Sequence, residues 1–196
     1  ATRRSGLLWR HAVQLFLIRH PRPLIDVGYC YGQLDLAAED PGPIAERLRP
    51  LLADDTAVCA SPLRRARQLA EALHRQPRFD ARLMEMSFGD WEGQPWQSID
   101  RALLDAWAAD PLHFIPPGGE SVAALQARVL ECVTHHPVVP RLAIVAHAGV
   151  IRLILGHYLR LDFQEWSQLP IDFGSLSALE VADLDQPRAE LLFLNR

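Results

Sequence analysis

Two short apolar runs, each ending at a histidine, constrain this chain more than any other feature. Val13–Ile18 precedes Arg19 and His20, and Leu142–Ala146 precedes His147. A short, continuous apolar run is typical of a strand that is buried on both faces of a parallel sheet. Because ligands bind outside the carboxyl ends of such strands, we expect the two histidines to face one cleft.

Helical patterns alternate with these runs and with a third apolar run, Thr56–Ala60. The segment SPLRRARQLAEALHRQ predicts a helix with Ser61 as its N-cap and Pro62 at its first position, and GGESVAALQARVLECV also has helical spacing. The stretch GQPWQSIDRALLDAWAADPLHFIPPGGE predicts a helical insertion, and SLSALEVADLDQPRAELLFLN predicts two strands in an antiparallel hairpin at the sheet edge. Together these patterns predict an α/β fold with a mostly parallel central sheet.

Length and composition set the expected organisation. The 196 residues predict a single domain at 13–196, preceded at 1–12 by a flexible arm or an expression remnant. The net charge of −4 argues against a partner such as nucleic acid, which requires broad phosphate neutralisation. Three widely spaced cysteines without a CxxC pair favour a reducing cytoplasm. No apolar run reaches the roughly 18 residues of a membrane helix, so we expect no membrane contact. We also expect the protein to be cytoplasmic and to be a monomer or a homodimer.

Arginines stand where a phosphate would bind. Arg19 directly precedes His20, and Arg64, Arg65 and Arg67 open the helix that follows the third apolar run. A helix N-terminus has free N–H groups and a partial positive charge, which already favour an anion. Arginine forks at that position are suited to a doubly charged phosphate.

The stretch MEMSFGDWEGQPW supplies three candidate acids, Glu85, Asp90 and Glu92. A carboxyl group beside a phosphate dianion is driven toward its protonated form by like-charge repulsion. It can then donate a proton to a leaving alcohol. The spacing alone does not choose among the three.

Five motifs in the expected order, between residues 15 and 152, resemble the histidine phosphatase superfamily, the phosphoglycerate mutase-like phosphatases. RHP resembles the family's R-H-G, and SPLRRARQLA resembles S-x-L-x-R-A-x-x-T-A. EMSFGDWEG resembles E-x-x-[FY]-G-x-x-[EQ]-G, PPGGES resembles P-x-G-E-S, and VAHAGVIR resembles V-x-H-G-G-x-I-R. The resemblance implies a three-layer α/β/α sandwich with helices on both faces of the sheet.

The resemblance also implies roles for individual residues. His20 would attack phosphorus and form a phosphohistidine, and Glu85 would protonate the leaving oxygen. Arg19, Arg65 and His147 would hold the phosphate oxygens. No metal and no cofactor would be needed, because these cations provide the charge.

The chain departs from the family pattern near its first motif. Pro21 stands where the family usually has glycine, and Asp26 where relatives often carry a phosphate-binding asparagine. We expect Arg22 to take the place of that asparagine and to donate hydrogen bonds to the phosphate. The segment GYCYGQLDLAAED resembles the α-ribazole phosphatase branch, in which Gln33 would contact the substrate. A purely structural polar turn is an equal alternative for Gln33.

The sequence therefore predicts a metal-independent phosphomonoester hydrolase that acts on a small phosphorylated metabolite. α-Ribazole 5′-phosphate, a precursor of the cobalamin lower ligand, is the expected substrate and would place the protein in cobalamin biosynthesis. Two alternatives stay open: a phosphoglycerate mutase-type phosphotransferase, and a catalytically weakened member that binds a phosphorylated ligand. A histidine-based metal site is disfavoured, because the remaining histidines share no ligand spacing with carboxylates.

Overall fold

A six-stranded sheet forms the centre of the computed structural model, which describes residues 12–196. The arm expected at 1–12 lies outside the described residues except for its last position. In chain order the strands are β1 (Val13–Arg19), β2 (Ala57–Ala60), β3 (Arg78–Phe79), β4 (Arg141–Ala146), β5 (Leu176–Val181) and β6 (Ala189–Phe193). Their order across the sheet is β3-β2-β4-β1-β5-β6. β1 is parallel to β4, and β5 and β6 form the predicted antiparallel hairpin at the edge, so the mostly parallel sheet is confirmed.

Six helices accompany the sheet in the described part of the chain. They are α1 (Gly42–Leu48), α2 (Arg64–Leu73), α3 (Arg101–Ala109), α4 (Val122–Thr134), α5 (Ala148–Leu159) and α6 (Phe163–Ser167). The helices predicted after the third apolar run, in the insertion and before β4 correspond to α2, α3 and α4. Crossing a bilayer requires a longer and more apolar helix than any found within residues 12–196.

The side chains of β1 alternate between two hydrophobic cores. Leu15 and Leu17 pack into the core that contains α4 and α5, whereas Phe16 and Ile18 pack into the core that contains α1 and α2. Successive residues of a strand point to opposite faces of its sheet. The helices therefore cover both faces, and the expected three-layer sandwich is confirmed.

The start of α2 differs from the prediction. Its N-cap is Leu63, and Ser61 does not cap the helix. The backbone N–H of Ser61 donates to the carbonyl of Val145 at 3.0 Å, which continues the pairing of β2 with β4. The chain therefore stays extended past the predicted cap, and the helix begins at Arg64.

Candidate active site

His20 and His147 meet at the carboxyl ends of two neighbouring strands. His20 follows β1 and His147 follows β4, and the backbone N–H of His20 donates to the carbonyl of Ala146 at 3.1 Å. The two imidazole centroids are 5.0 Å apart, and the side chains are 1% and 0% exposed. The parallel pairing of β1 with β4 thus brings together two histidines that are far apart in sequence.

The imidazole of His20 has a fixed orientation. Its Nδ1 lies 2.6 Å from the carbonyl oxygen of Pro21, which can only accept, so Nδ1 carries the proton. Nε2 accepts a hydrogen bond from Nε of Arg65 at 3.3 Å. Burial first, and then the Arg65 charge, hold the pKa of His20 well below its ordinary value of 6.5. His20 is therefore neutral, with its proton on Nδ1 and a lone pair on Nε2.

Arg65 is a fully buried cation beside His20. Besides its contact with His20, its guanidinium donates to two backbone carbonyls of the loop that contains Gly32, at 2.6 and 2.9 Å. Burial lowers the pKa of Arg65, but a guanidinium keeps its charge in proteins. Arg67 instead lies over the ring of Phe79. Arg65, and not Arg67, is therefore the arginine of α2 that contacts His20.

Arg19 is held by a ring and a carbonyl. Its guanidinium carbon lies 3.7 Å from the centroid of Phe173, and its Nη1 donates to the carbonyl of Ile171 at 2.5 Å. Its buried Nε has no hydrogen-bond partner among residues 12–196. Arg19 lines the cleft beside His20 and has donors left for an anion.

The structure does not bring Arg22 and Asp26 into this cleft. The guanidinium of Arg22 lies 4.8 Å from the Phe173 centroid, and its exposed side chain lies 4.0 Å from a carboxylate oxygen of Glu39. Arg22 and Asp26 line a separate pocket, which Tyr31 and Phe173 border. The replacement of the family's asparagine therefore adds no carboxylate to the lining of the cleft.

Of the three candidate acids, only Glu85 lines the cleft. Its Oε2 accepts the backbone N–H of Gly149 in the first turn of α5 at 3.0 Å. Asp90 is exposed, and Oε1 of Glu92 accepts two backbone N–H groups of the surrounding loops. Among the three, Glu85 is therefore the carboxylate placed to meet a ligand in the cleft, and its role as the acid stays a prediction.

Gln33 braces the loop that carries Glu85. Its Nε2 donates to the backbone carbonyl of Glu85 at 3.1 Å, and Arg128 of α4 donates to the same oxygen at 3.0 Å. Gln33 is not among the residues that line the cleft. The observed contact corresponds to the structural alternative for Gln33 and does not show a substrate contact.

The cleft beside His20 has a volume of about 280 Å³, and its lining is mainly apolar. Its wall contains five aromatic rings: Tyr31, Phe88, Trp107, Phe163 and Trp166. Across residues 12–196, no group of three His, Cys, Asp or Glu side chains is arranged to share a metal ion. The cleft therefore combines a small set of charged groups with a large apolar wall.

Residues 15–194 match the family described as the histidine phosphatase superfamily, branch 1. The chain is a member of the histidine phosphatase superfamily. A glucosyl-3-phosphoglycerate phosphatase of Mycolicibacterium vanbaalenii is 30% identical over 196 residues, covering 86% of this chain and 84% of that protein. The predicted family and the predicted phosphatase activity are confirmed.

Solved structures of two named phosphatases are also similar to this histidine phosphatase. The α-ribazole phosphatase of Shigella flexneri has a TM-score of 0.79 at 29% identity, covering 94% of this chain and 96% of that one. A mycobacterial glucosyl-3-phosphoglycerate phosphatase has a TM-score of 0.78 at 29% identity, covering 94% and 99%. The similarity extends over nearly the whole chain in both cases.

Sequence reasoning missed two residues of the histidine phosphatase site. Arg152 lines the cleft from α5, and its Nε donates to the carbonyl of Leu169 at 2.8 Å. Arg152 is the last residue of the motif VAHAGVIR, so the resemblance to the family includes it, but the sequence does not indicate that it lines the cleft. Phe173, which supports Arg19, lies in the loop before β5, and no sequence pattern marks it.

Proposed function

We propose that this phosphatase hydrolyses small phosphomonoesters through a phosphohistidine on His20. The observation that carries the proposal is the hydrogen bond between Nδ1 of His20 and the carbonyl of Pro21 at 2.6 Å. It fixes the proton on Nδ1 and leaves Nε2 as a neutral nucleophile. Proline at position 21 serves this contact as well as glycine would, because the contact uses the carbonyl and not the missing N–H.

In the proposed first step, Nε2 of His20 gives up its hydrogen bond from Arg65 and attacks phosphorus, and the bond to the leaving oxygen breaks. The Glu85 carboxyl gives its proton to that oxygen, so the alcohol leaves neutral. In the second step, a water attacks phosphorus, its proton passes to Glu85, and the P–N bond breaks to release phosphate. The acid is thereby restored for the next cycle.

Arg19 and Arg65 supply the positive charge for this reaction, and His147 supplies a third contact to the phosphate. Fixed donors aimed at the transferring group provide most of the catalysis in phosphoryl transfer. Two guanidinium groups beside His20 can balance a phosphate dianion, so the proposed mechanism is metal-independent.

The apolar wall supports a leaving group with a flat aromatic ring. Trp107 and Trp166 line the cleft, where such a ring would pack against them, and aromatic pairs gain free energy beyond the burial of their surface. α-Ribazole 5′-phosphate carries a benzimidazole on the ribose that bears the phosphate. We propose it as the substrate, which would give the protein a role in cobalamin biosynthesis.

Arg152 favours a second candidate, glucosyl-3-phosphoglycerate. This ester carries a carboxylate close to its phosphate, and a guanidinium in the cleft could pair with it. The mycobacterial relatives that carry this activity in their names are about as similar as the α-ribazole phosphatase. The two candidates differ in what the cleft must hold: an aromatic ring or a second anion.

The test compares turnover of both esters, of 3-phosphoglycerate and of 4-nitrophenyl phosphate, in the presence of EDTA. We expect α-ribazole 5′-phosphate to have the highest kcat/KM, and His20→Ala to abolish turnover of all four. Alkaline quenching followed by intact-mass measurement should show one added phosphoryl group on the wild type and none on His20→Ala. Arg152→Ala separates the candidates, because it should reduce kcat/KM for the glucosyl ester far more than for α-ribazole 5′-phosphate.

Three outcomes contradict parts of this proposal. Loss of turnover in EDTA that a divalent metal restores would exclude the metal-independent route. Conversion of 3-phosphoglycerate to its 2-isomer without release of phosphate would favour the mutase alternative. Tight binding of an ester by folded protein without turnover would favour the catalytically weakened alternative.

A further inference from the structure

Ser61 contacts the second histidine of the site. Its Oγ lies 2.8 Å from Nε2 of His147, and both residues are 0% exposed. The same oxygen accepts the backbone N–H of Leu63 at 3.3 Å. The residue predicted as a helix cap is therefore a neighbour of a phosphate ligand.

The hydroxyl of Ser61 has one proton, and its hydrogen bonds decide where that proton lies. Since Oγ accepts from Leu63, its proton is free to be donated, and Nε2 of His147 is the acceptor that the structure provides among residues 12–196. If Nε2 carried the proton instead, two groups would be buried without a partner, the hydroxyl proton of Ser61 and the lone pair of Nδ1, whereas the other tautomer leaves only the Nδ1 proton unpaired among residues 12–196. The arrangement thus favours Nε2 of His147 as an acceptor.

The other ring nitrogen of His147 then carries the proton. Burial first, and then the charges of His20 and Arg65, hold the pKa of His147 well below 6.5, so the ring is neutral and has one N–H. Nδ1 is buried, without a hydrogen-bond partner in the described chain, on a ring 5.0 Å from that of His20. A phosphate on His20 would meet a donor at Nδ1 in this tautomer and a repelling lone pair in the other.

We propose that Ser61 is a positioning residue that holds His147 as its Nδ1–H tautomer, so that Nδ1 donates to the phosphoryl group on His20. The role of the donor rests on the proposed function. The tautomer is a property of the free protein and can be measured without any substrate.

The first test is a two-bond ¹H–¹⁵N correlation spectrum of histidine-labelled protein at pH 7.5. In the wild type, His147, assigned by its loss in His147→Asn, should show a protonated Nδ1 and an unprotonated Nε2. In Ser61→Ala, the ring should move toward the Nε2–H form. A protonated Nε2 in the wild type, or an unchanged tautomer in folded Ser61→Ala, would overturn the proposal.

The second test is a double-mutant cycle with His147→Asn, because the amide nitrogen of asparagine can donate from the place of Nδ1 and needs no tautomer. Ser61→Ala should lower kcat/KM about tenfold in the wild-type background, the effect of one lost hydrogen bond. It should have little further effect in the His147→Asn background. An equal loss in both backgrounds would show that Ser61 acts through packing.

Ser177→Ala is the matched control, since it removes another buried serine hydroxyl that bonds a backbone N–H, that of Asn195. It should leave both the tautomer and kcat/KM unchanged, while thermal unfolding checks that each variant folds. If the wild type shows the Nδ1–H tautomer but hydrolyses none of the four esters, the proposed function fails and the tautomer assignment stands. If hydrolysis proceeds with the opposite tautomer, only the role of Ser61 fails.

Discussion

The carboxylate of Glu85 is attached to the first turn of α5, because its Oε2 accepts the backbone N–H of Gly149 at 3.0 Å. His147 is the N-cap of the same helix. The proposed proton donor and the proposed phosphate ligand therefore share one rigid support. A shift of this turn would displace both groups together.

Replacing Glu85 by glutamine should lower kcat for an alkyl phosphate by about 10²- to 10³-fold, because the amide cannot protonate the leaving oxygen. Its carbonyl oxygen can still accept the N–H of Gly149, and only the contact with the adjacent N–H of Met86 is lost, so the fold should persist. Steady-state kinetics on an alkyl phosphate and on 4-nitrophenyl phosphate checks this. The loss should be much smaller for the nitrophenyl ester, whose leaving group needs no proton.

Glu92→Gln is the matched control for that substitution. Glu92 lies in the same loop, but its Oε1 accepts the backbone N–H groups of Gln33 and Phe88, and an amide oxygen can replace it. We expect kcat to stay within about threefold of the wild type. Equal losses on both esters in Glu85→Gln would argue against a proton-donor role.

Gly149→Ala should reduce activity through Glu85. A Cβ at this position would lie 2.5 Å from Oε1 of Glu85, so the carboxylate must move. We expect kcat for an alkyl phosphate to fall at least about tenfold, since small displacements of a reacting group are costly. In the Glu85→Gln background the same change should cost little more, which a double-mutant cycle measures. Additive losses would place the effect elsewhere.

Arg65→Lys and Arg22→Ala should show which of these two arginines binds the phosphate of the substrate. Lysine cannot reproduce the three-way contact of the buried Arg65 guanidinium, so kcat/KM should fall by about 10²-fold or more. Arg22 is exposed and does not line the cleft, so Arg22→Ala should stay within about twofold. A large loss in Arg22→Ala would restore the sequence prediction that it binds phosphate.

The protein should lose stability as the pH falls below about 6.5. The pKa values of His20 and His147 are held well below 6.5 in the folded state, so between those values and 6.5 the unfolded chain binds protons that the folded chain does not. Each histidine should add up to about 1.4 kcal/mol per pH unit to the slope of the unfolding free energy. Urea unfolding between pH 7.5 and 5 measures this slope, and His20→Ala should make it shallower. The same slope in wild type and His20→Ala would contradict the assignment.

The strands and the meeting of the two histidines were predictable because they depend on local pattern. Runs such as Val13–Ile18 are apolar except for Gln14, which identifies strands covered on both faces. Parallel pairing brings the ends of such strands to one edge. The C-terminal hairpin was predictable for the same reason, because both of its strand patterns lie within one short stretch of the chain.

Other features depend on contacts between distant segments and were not readable from the sequence. The sequence SPLRR suggests a cap at Ser61, but the pairing of Ser61 with Val145 prolongs the extended backbone and moves the helix start to Arg64. Arg22 is close to His20 in sequence, yet its guanidinium lies 4.8 Å from the centroid of Phe173 and outside the cleft. No pattern in the sequence indicates this contact with a distant residue.

The groups proposed to handle phosphate and three of the five rings that line the cleft come from different parts of the fold. The former lie at strand ends and at the starts of α2 and α5, whereas Trp107 belongs to α3 and Phe163 and Trp166 to α6. Substitutions in these two short helices can reshape the cleft wall while the central sheet and its reactive groups stay in place. A combinatorial library confined to α3 and α6 is therefore the natural route for turning this scaffold toward new phosphate esters, and the same separation would let evolution diversify substrates without rebuilding the chemistry.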